Sequence, residues 1–276
     1  MNDRSVGVFD SGVGGLSVLR EIRRTLPGED LLYVADSGYA PYGDRPRAFI
    51  EQRSTVITEF LIAQGAKAIV VACNTATGMA VEHLRARFAL PIVAMEPAVK
   101  PAASATRSGV VAVLATTQTL ASARFARLVE QYGAGVEVVV QAAPGLVDAG
   151  EEGRVSGDEA RALVESYVRP VLAKGADTIV LGCTHFPFLG RLIQEAAGPG
   201  VLVIDPAIAV ARELARRLEA EQLLSTRTSG GTERFWTTGD VAQVLGVVAA
   251  LWPAPVDLQR MDAVRVPAGD QSISGR

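Results

Sequence analysis

Short apolar runs alternate with helix-length amphipathic stretches along the chain, the pattern of βαβ units wound around a mostly parallel sheet. Runs rich in Val, Ile and Leu predict strands near 5–10, 30–35, 68–73, 91–95, 109–115, 136–141, 178–182 and 201–204, with helices filling the intervals. The stretch 46–64 carries the clearest helical period: Phe49, Ile50, Val56, Ile57, Phe60 and Leu61 recur at spacings of three and four, while Glu51, Arg53 and Glu59 fall elsewhere. Beyond 206 the pattern predicts a helix over 207–223, a Ser/Thr/Gly linker at 225–232 and a strand-helix pair from Glu233 to Leu251. Pro97 and Pro206 each follow an apolar run and open a new helix, which sets boundaries at Glu96-Pro97 and Asp205-Pro206. The expected organisation is one α/β domain of residues 1–96 plus 207–264, a second of residues 97–206, and a polar, aperiodic tail, 265–276, expected to be poorly ordered.

One pattern occurs twice. KAIVVACNTA at 67–76 and DTIVLGCTHF at 177–186 each run from β-branched residues through a small residue to Cys, then to residues able to open a helix. The repeat predicts two similar α/β halves, each presenting one thiol at the same structural address. The 276 residues are 49% hydrophobic and 21% charged with a formal net charge of −3, so there is no polybasic field for nucleic acid. No apolar stretch approaches the roughly 20 residues that cross a bilayer. The start, MNDRSVGVFD, lacks the regions of a secretory signal, so the expectation is a cytoplasmic enzyme with no membrane partner. An effector site built on an N-terminal extension is not expected. In a reducing compartment the two cysteines stay thiols, available for packing, metal binding or chemistry.

Four polar clusters fall at predicted carboxyl ends of strands, where ligands gather in parallel sheets: Asp10-Ser11 with Gly12, Gly14 and Gly15; Asp36-Ser37 followed by Pro41-Tyr42-Gly43; Cys73-Asn74-Thr75; and Cys183-Thr184-His185. The glycine turn of FDSGVGGLSVLREI offers backbone N–H groups to a small anion, or else is a tight turn in which Asp10 or Ser11 caps a helix. It is no dinucleotide fingerprint, since Ser17 stands where the third glycine belongs. Each Cys precedes a predicted helix start, a setting that lowers a thiol pKa from about 8.5; the alternative is a small buried hydrophobe. His185 is a ligand, an acid/base or a satisfied partner, and His83, among Glu82, Arg85 and Arg87, reads as a surface residue. Metal is not expected, because His83 lacks a ligand spacing to Cys73. The three lysines argue against pyridoxal chemistry: Lys67 and Lys174 precede their strands, and Lys100 has no phosphate loop beside it. Two thiols flanking a small-anion site suit a reaction that takes a proton from one face of a carbon and returns one to the other.

The segments GVFDSGVGGLSVLREI, YVADSGYAPYG, VACNTAT and LGCTHFPFL, in this order, closely resemble the glutamate racemases, cofactor-independent members of the aspartate/glutamate racemase superfamily. The resemblance covers about residues 5–255. It implies two pseudo-symmetric α/β domains with the active site at their interface, glutamate as the small-molecule substrate, no cofactor, and a D-glutamate product that feeds peptidoglycan synthesis. It makes Cys73 and Cys183 the catalytic acid/bases, with Asp10 assisting the first and His185 the second. It also implies glutamate binding by Asp10, Ser11, Tyr42, Gly43, Asn74, Thr75, Thr184 and His185. A GTxGT-like segment reads ATTQT here, so Thr116 and Thr119 match while Ala115 and Gln118 do not. Glu151 in APGLVDAGE is the nearest match to a family glutamate that follows a CPxLV-like segment, with Ala143 in place of the Cys.

Three rivals remain. An aspartate racemase usually carries an acidic residue where His185 stands. A thiol redox protein usually pairs its cysteines as C-x-x-C, whereas these lie 110 residues apart. A two-lobed binding protein would close on an acidic amino acid without turning it over. A twofold homodimer is common among small soluble enzymes.

Overall fold

In the computed structural model, which describes residues 4–261, the apolar runs become ten strands in two sheets. The strands are β1 (Ser5–Asp10), β2 (Leu31–Ala35), β3 (Ala66–Val71), β4 (Ile92–Ala94), β5 (Val110–Ala115), β6 (Glu137–Ala142), β7 (Thr178–Gly182), β8 (Leu202–Ile204), β9 (Glu233–Thr237) and β10 (Leu258–Arg260). The first sheet has the order β10-β9-β2-β1-β3-β4 and the second β6-β5-β7-β8, and every strand pair is parallel. β1, β2, β3 and β7 are buried along their whole length, as mainly apolar strands in a doubly covered sheet should be.

The helices are α1 (Leu16–Thr25), α2 (Arg47–Ala63), α3 (Asn74–Arg87), α4 (Val99–Ala105), α5 (Thr117–Ala121), α6 (Ala123–Tyr132), α7 (Pro144–Glu151), α8 (Gly157–Ala173), α9 (Gly190–Ala197), α10 (Ala207–Ala220) and α11 (Val241–Leu251). On one face of the first sheet Val6, Val8, Tyr33 and Val70 meet α1, α10 and α11; on the other Phe9, Val34 and Val71 meet α2 and α3. The predicted stripe of α2 packs there, with Ile50, Ile57 and Leu61 fully buried. Each such side chain contributes about 1.5–3 kcal/mol on burial. The second sheet is covered by α7, α8 and α9 on one face and by α4 and α6 on the other.

Several boundaries differ from the sequence reading. The strand expected over 68–73 ends at Val71, because Cys73 already caps α3, its Sγ accepting the Ala76 N–H at 3.4 Å. Lys67 lies inside β3 rather than before it, fully buried with its Nζ 2.6 Å from Glu29 Oε2. α5 and α6 break at Ser122, whose hydroxyl accepts the Phe125 N–H and restarts the helix. β10 was not anticipated. The expectation for the tail 265–276 lies outside the described residues.

Candidate active site

The carboxyl ends of β1, β3, β5 and β7 converge, and with them the predicted clusters. β1 ends in Asp10, which is fully buried: its Oδ1 accepts the Ser11 N–H at 2.8 Å and its Oδ2 accepts the Thr184 hydroxyl at 3.0 Å. That second bond joins the two sheets. So does Ser17, whose hydroxyl lies 2.9 Å from both the Gly14 and the Thr184 carbonyl oxygens. Cys73 Sγ lies 3.5 Å from Ser11 Oγ. Opposite, Cys183 Sγ lies 3.6 Å from His185 Nδ1, and His185 Nε2 lies 2.6 Å from Glu151 Oε1, which also accepts the Val13 N–H at 3.1 Å.

The glycine turn therefore holds an anion of its own chain, the Glu151 carboxylate. Its glycines also permit close approach: a Cβ on Gly12 would fall 1.7 Å from Glu151 Oε1, and one on Gly14 2.5 Å from Thr184 Oγ1. The turn is not part of the cavity wall beyond Ser11.

The surroundings of the two thiols differ. Burial pushes the Cys73 thiol well above its ordinary value; the negative field of Asp10 adds to this, and contacts with the Ala76 N–H and Ser11 oppose it without prevailing. The lowering of the thiol pKa expected from a helix start is thus reversed at Cys73: desolvation outweighs the helix terminus. Asp10 is itself raised, chiefly by burial. For His185 burial acts downward, but the Glu151 carboxylate and the Cys183 sulfur together hold it well above the usual 6.5, so it is an imidazolium at neutral pH. Cys183 also departs from the second helix-start expectation. It leads into a 3-10 turn, Phe186–Leu189, before α9 begins, so no α-helix N-terminus sits on its sulfur.

Both sulfurs line one cavity of about 100 Å³, far below the ~300–1,000 Å³ of pockets for drug-sized ligands. Ser11, Tyr42, Gly43, Asn74, Thr75, Thr116, Thr184 and His185 line it with them. Asp10, Thr119 and Glu151, expected to bind substrate, are not among the lining residues; they hydrogen-bond to residues that are, Thr184, Thr116 and His185. Thr119 belongs to a hydroxyl cluster that spans the sheets, with Thr75 Oγ1 2.9 Å from Thr116 Oγ1 and Thr116 Oγ1 2.9 Å from Thr119 Oγ1. Both polar atoms of the Asn74 amide are buried without a protein partner, which leaves them for a ligand. Tyr42 faces the cavity, but its hydroxyl donates to Asp36 at 2.5 Å. No Lys or Arg lines the cavity, so the cationic group an anionic ligand meets there is the His185 ring, beside neutral hydroxyl and amide groups. Among the described residues no cluster of His, Cys, Asp or Glu is arranged to hold a metal, and His83 is exposed.

Residues 6–214 match the family of Asp/Glu/Hydantoin racemases. A glutamate racemase of Methylococcus capsulatus is 54% identical over 253 residues, 91% of this chain and 93% of that one. The chain belongs to the glutamate racemases of the Asp/Glu/Hydantoin racemase family. It is an isomerase. Its fold superposes on the Escherichia coli glutamate racemase in complex with L-glutamate and the activator UDP-MurNAc-ala with a TM-score of 0.83, 30% identity, and coverage of 95% of this chain and 99% of that one. The Francisella tularensis glutamate racemase in complex with D-glutamate gives 0.82, 30%, 95% and 99%.

Sequence reasoning missed several parts of this racemase's cavity. Thr117, beside the expected Thr116, lines it, as do Val147 and the exposed Asp148 of α7. The available signal was that α7 follows the carboxyl end of β6, the same rule that located the other clusters. No helix among the described residues is long and apolar enough to cross a membrane.

Proposed function

We propose that this racemase interconverts L- and D-glutamate with two thiols and no cofactor, Cys73 working on one face of Cα and Cys183 on the other. The observation that carries the proposal is that the sulfurs, from different sheets, share one small cavity. A thiolate removes the Cα proton, the electron pair stays on the carbanion, and the opposing thiol delivers its own proton to the other face. The sulfurs finish with their protonation exchanged, so the reverse reaction uses the same groups in swapped roles. The environments suit that asymmetry. Burial and then the field of Asp10 raise the Cys73 thiol, and on the other side the positively charged ring of His185 lies 3.6 Å from Cys183 Sγ. Ser11, Asn74, Thr75, Thr116, Thr184 and the Tyr42-Gly43 wall bind the carboxylates and ammonium, and the dry cavity strengthens those bonds as charge spreads onto the α-carboxylate. Asp10, Thr119 and Glu151 act from behind as positioning residues.

In this reading the two sheets are the cores of two domains, 1–96 plus 207–264 and 97–206, with the cavity between them. Glutamate is supported by the related structures that hold L- and D-glutamate. The UDP-MurNAc-ala activator of one of them supports a cytoplasmic enzyme that supplies D-glutamate for peptidoglycan. A homodimer is the expected assembly. Circular dichroism of purified chain with either enantiomer, no cofactor added, tests the assignment: signal should decay to zero from both sides with glutamate and stay constant with aspartate. Faster turnover of aspartate would refute it.

A further inference from the structure

We infer that Arg53, which does not touch the cavity, is a positioning residue for substrate binding: it acts through Asp36 on the Tyr42-Gly43 wall. The inference rests on the glutamate reading above.

The wall lies in the stretch from Ser37 to Asp44, which contains two short 3-10 turns and no strand. Lacking a ladder, it depends on side-chain ties. One buried carboxylate, just before the stretch, is the hub of these ties. Asp36 accepts the Tyr42 hydroxyl at 2.5 Å, Arg53 Nε at 3.0 Å, Arg53 Nη2 at 2.7 Å and the Thr238 hydroxyl at 2.8 Å. Its side chain is completely buried and that of Arg53 is 12% exposed. A buried carboxylate stays charged only when paired, and the two-pronged guanidinium fixes its plane as well as its charge. The same guanidinium lies over the Tyr39 ring, 3.7 Å from its centre. Arg53 thus holds the segment at Asp36, at Tyr39 and, through Asp36, at Tyr42.

The consequence falls on binding. Gly43 faces Thr116 of the second sheet across the cavity, where a Cβ would stand 3.8 Å from the Thr116 Cβ. A shift of the wall changes that gap and the fit of any molecule in it. No hydrogen bond links Arg53 or the Asp36 side chain to either thiol or to Ser11, His185 and Glu151, and Asp36 meets that side through its backbone, whose N–H donates to the Asp10 carbonyl at 3.0 Å, so proton transfer keeps its geometry.

Racemisation kinetics of the full chain carrying Arg53→Met and Arg53→Lys, with melting temperatures, test this. Arg53→Met should raise KM for both enantiomers about tenfold or more with kcat within about threefold of wild type. Arg53→Lys keeps the charge but loses the fork and the stacking, and should raise KM about threefold or more. Should Arg53→Met fail to fold because Asp36 is left unpaired, Arg53→Lys decides alone. KM within twofold of wild type in the folded variants overturns the inference, as does a fall in kcat at constant KM. Failure of the glutamate reading shows itself separately, as a wild-type enzyme that turns over neither enantiomer.

Discussion

Cys73 and Cys183 leave their sheets at matching strand ends, β3 and β7, yet Cys73 caps an α-helix near a buried carboxylate while Cys183 enters a 3-10 turn beside an imidazolium. Duplicated backbone therefore delivers two sulfurs to one cavity, and the residues around them set a buried carboxylate near one and an imidazolium against the other. The inequality lies both in side chains, Asp10 against His185, and in the local backbone, an α-helix start against a 3-10 turn.

Removing either sulfur should break the comparison most completely. Cys73→Ser or Cys183→Ser should each lower the racemisation rate by about 10²–10⁴ with melting temperature nearly unchanged, and full turnover by either would remove that thiol from the chemistry. Next in size is Glu151→Gln, which acts first on the Cys183 side, through His185, and also on the glycine turn through the Val13 N–H. Without the carboxylate His185 becomes a weaker base, so the alkaline limb of the kcat/KM profile should move to lower pH and kcat/KM should fall about tenfold. An unmoved limb would show that the imidazolium is not held by Glu151.

Gly14→Ala sharpens the same side sterically. The added methyl would crowd Thr184 and the His185 ring at 2.5–2.7 Å, and should cost about 1–3 kcal/mol in urea denaturation together with activity. Unchanged stability would mean the turn yields more easily than its packing indicates.

The smallest effect belongs to Cys73 and is read in stability. Its thiol is raised on folding, so its stabilising contribution is complete below the unfolded value of 9.0 and lost as pH rises above that, with a slope of up to about 1.4 kcal/mol per pH unit. Cys73→Ala should lack this alkaline slope when unfolding free energies are compared from about pH 8 to 10. Parallel curves for the two proteins would contradict the buried, uncharged thiol.

Short apolar strands buried on both faces and bounded by polar or small residues, such as β1 and β7, were legible to the residue. So was the stripe of α2. The convergence of the four clusters followed from parallel topology alone. What sequence could not carry was depth and long-range pairing. Asp10 and Glu151 resemble substrate ligands in a linear motif, and only packing places them behind Ser11 and His185. The glycine turn resembled an anion site, yet its anion is Glu151, 138 residues away in the chain. The direction of the Cys73 shift escaped the sequence for the same reason: a helix N-terminus is visible there, whereas desolvation and the field of Asp10 are properties of the assembled site.

The central claim is that each thiol serves its own face of one stereocentre, and the first turnovers in deuterium oxide test it most directly. With L-glutamate protonated at Cα, the D-glutamate formed should carry deuterium at Cα from the first turnover, delivered by the opposing solvent-exchanged thiol, while unreacted L-glutamate keeps its protium. D-glutamate that retains the original protium would mean that one group carries the proton across both faces, and would contradict the account.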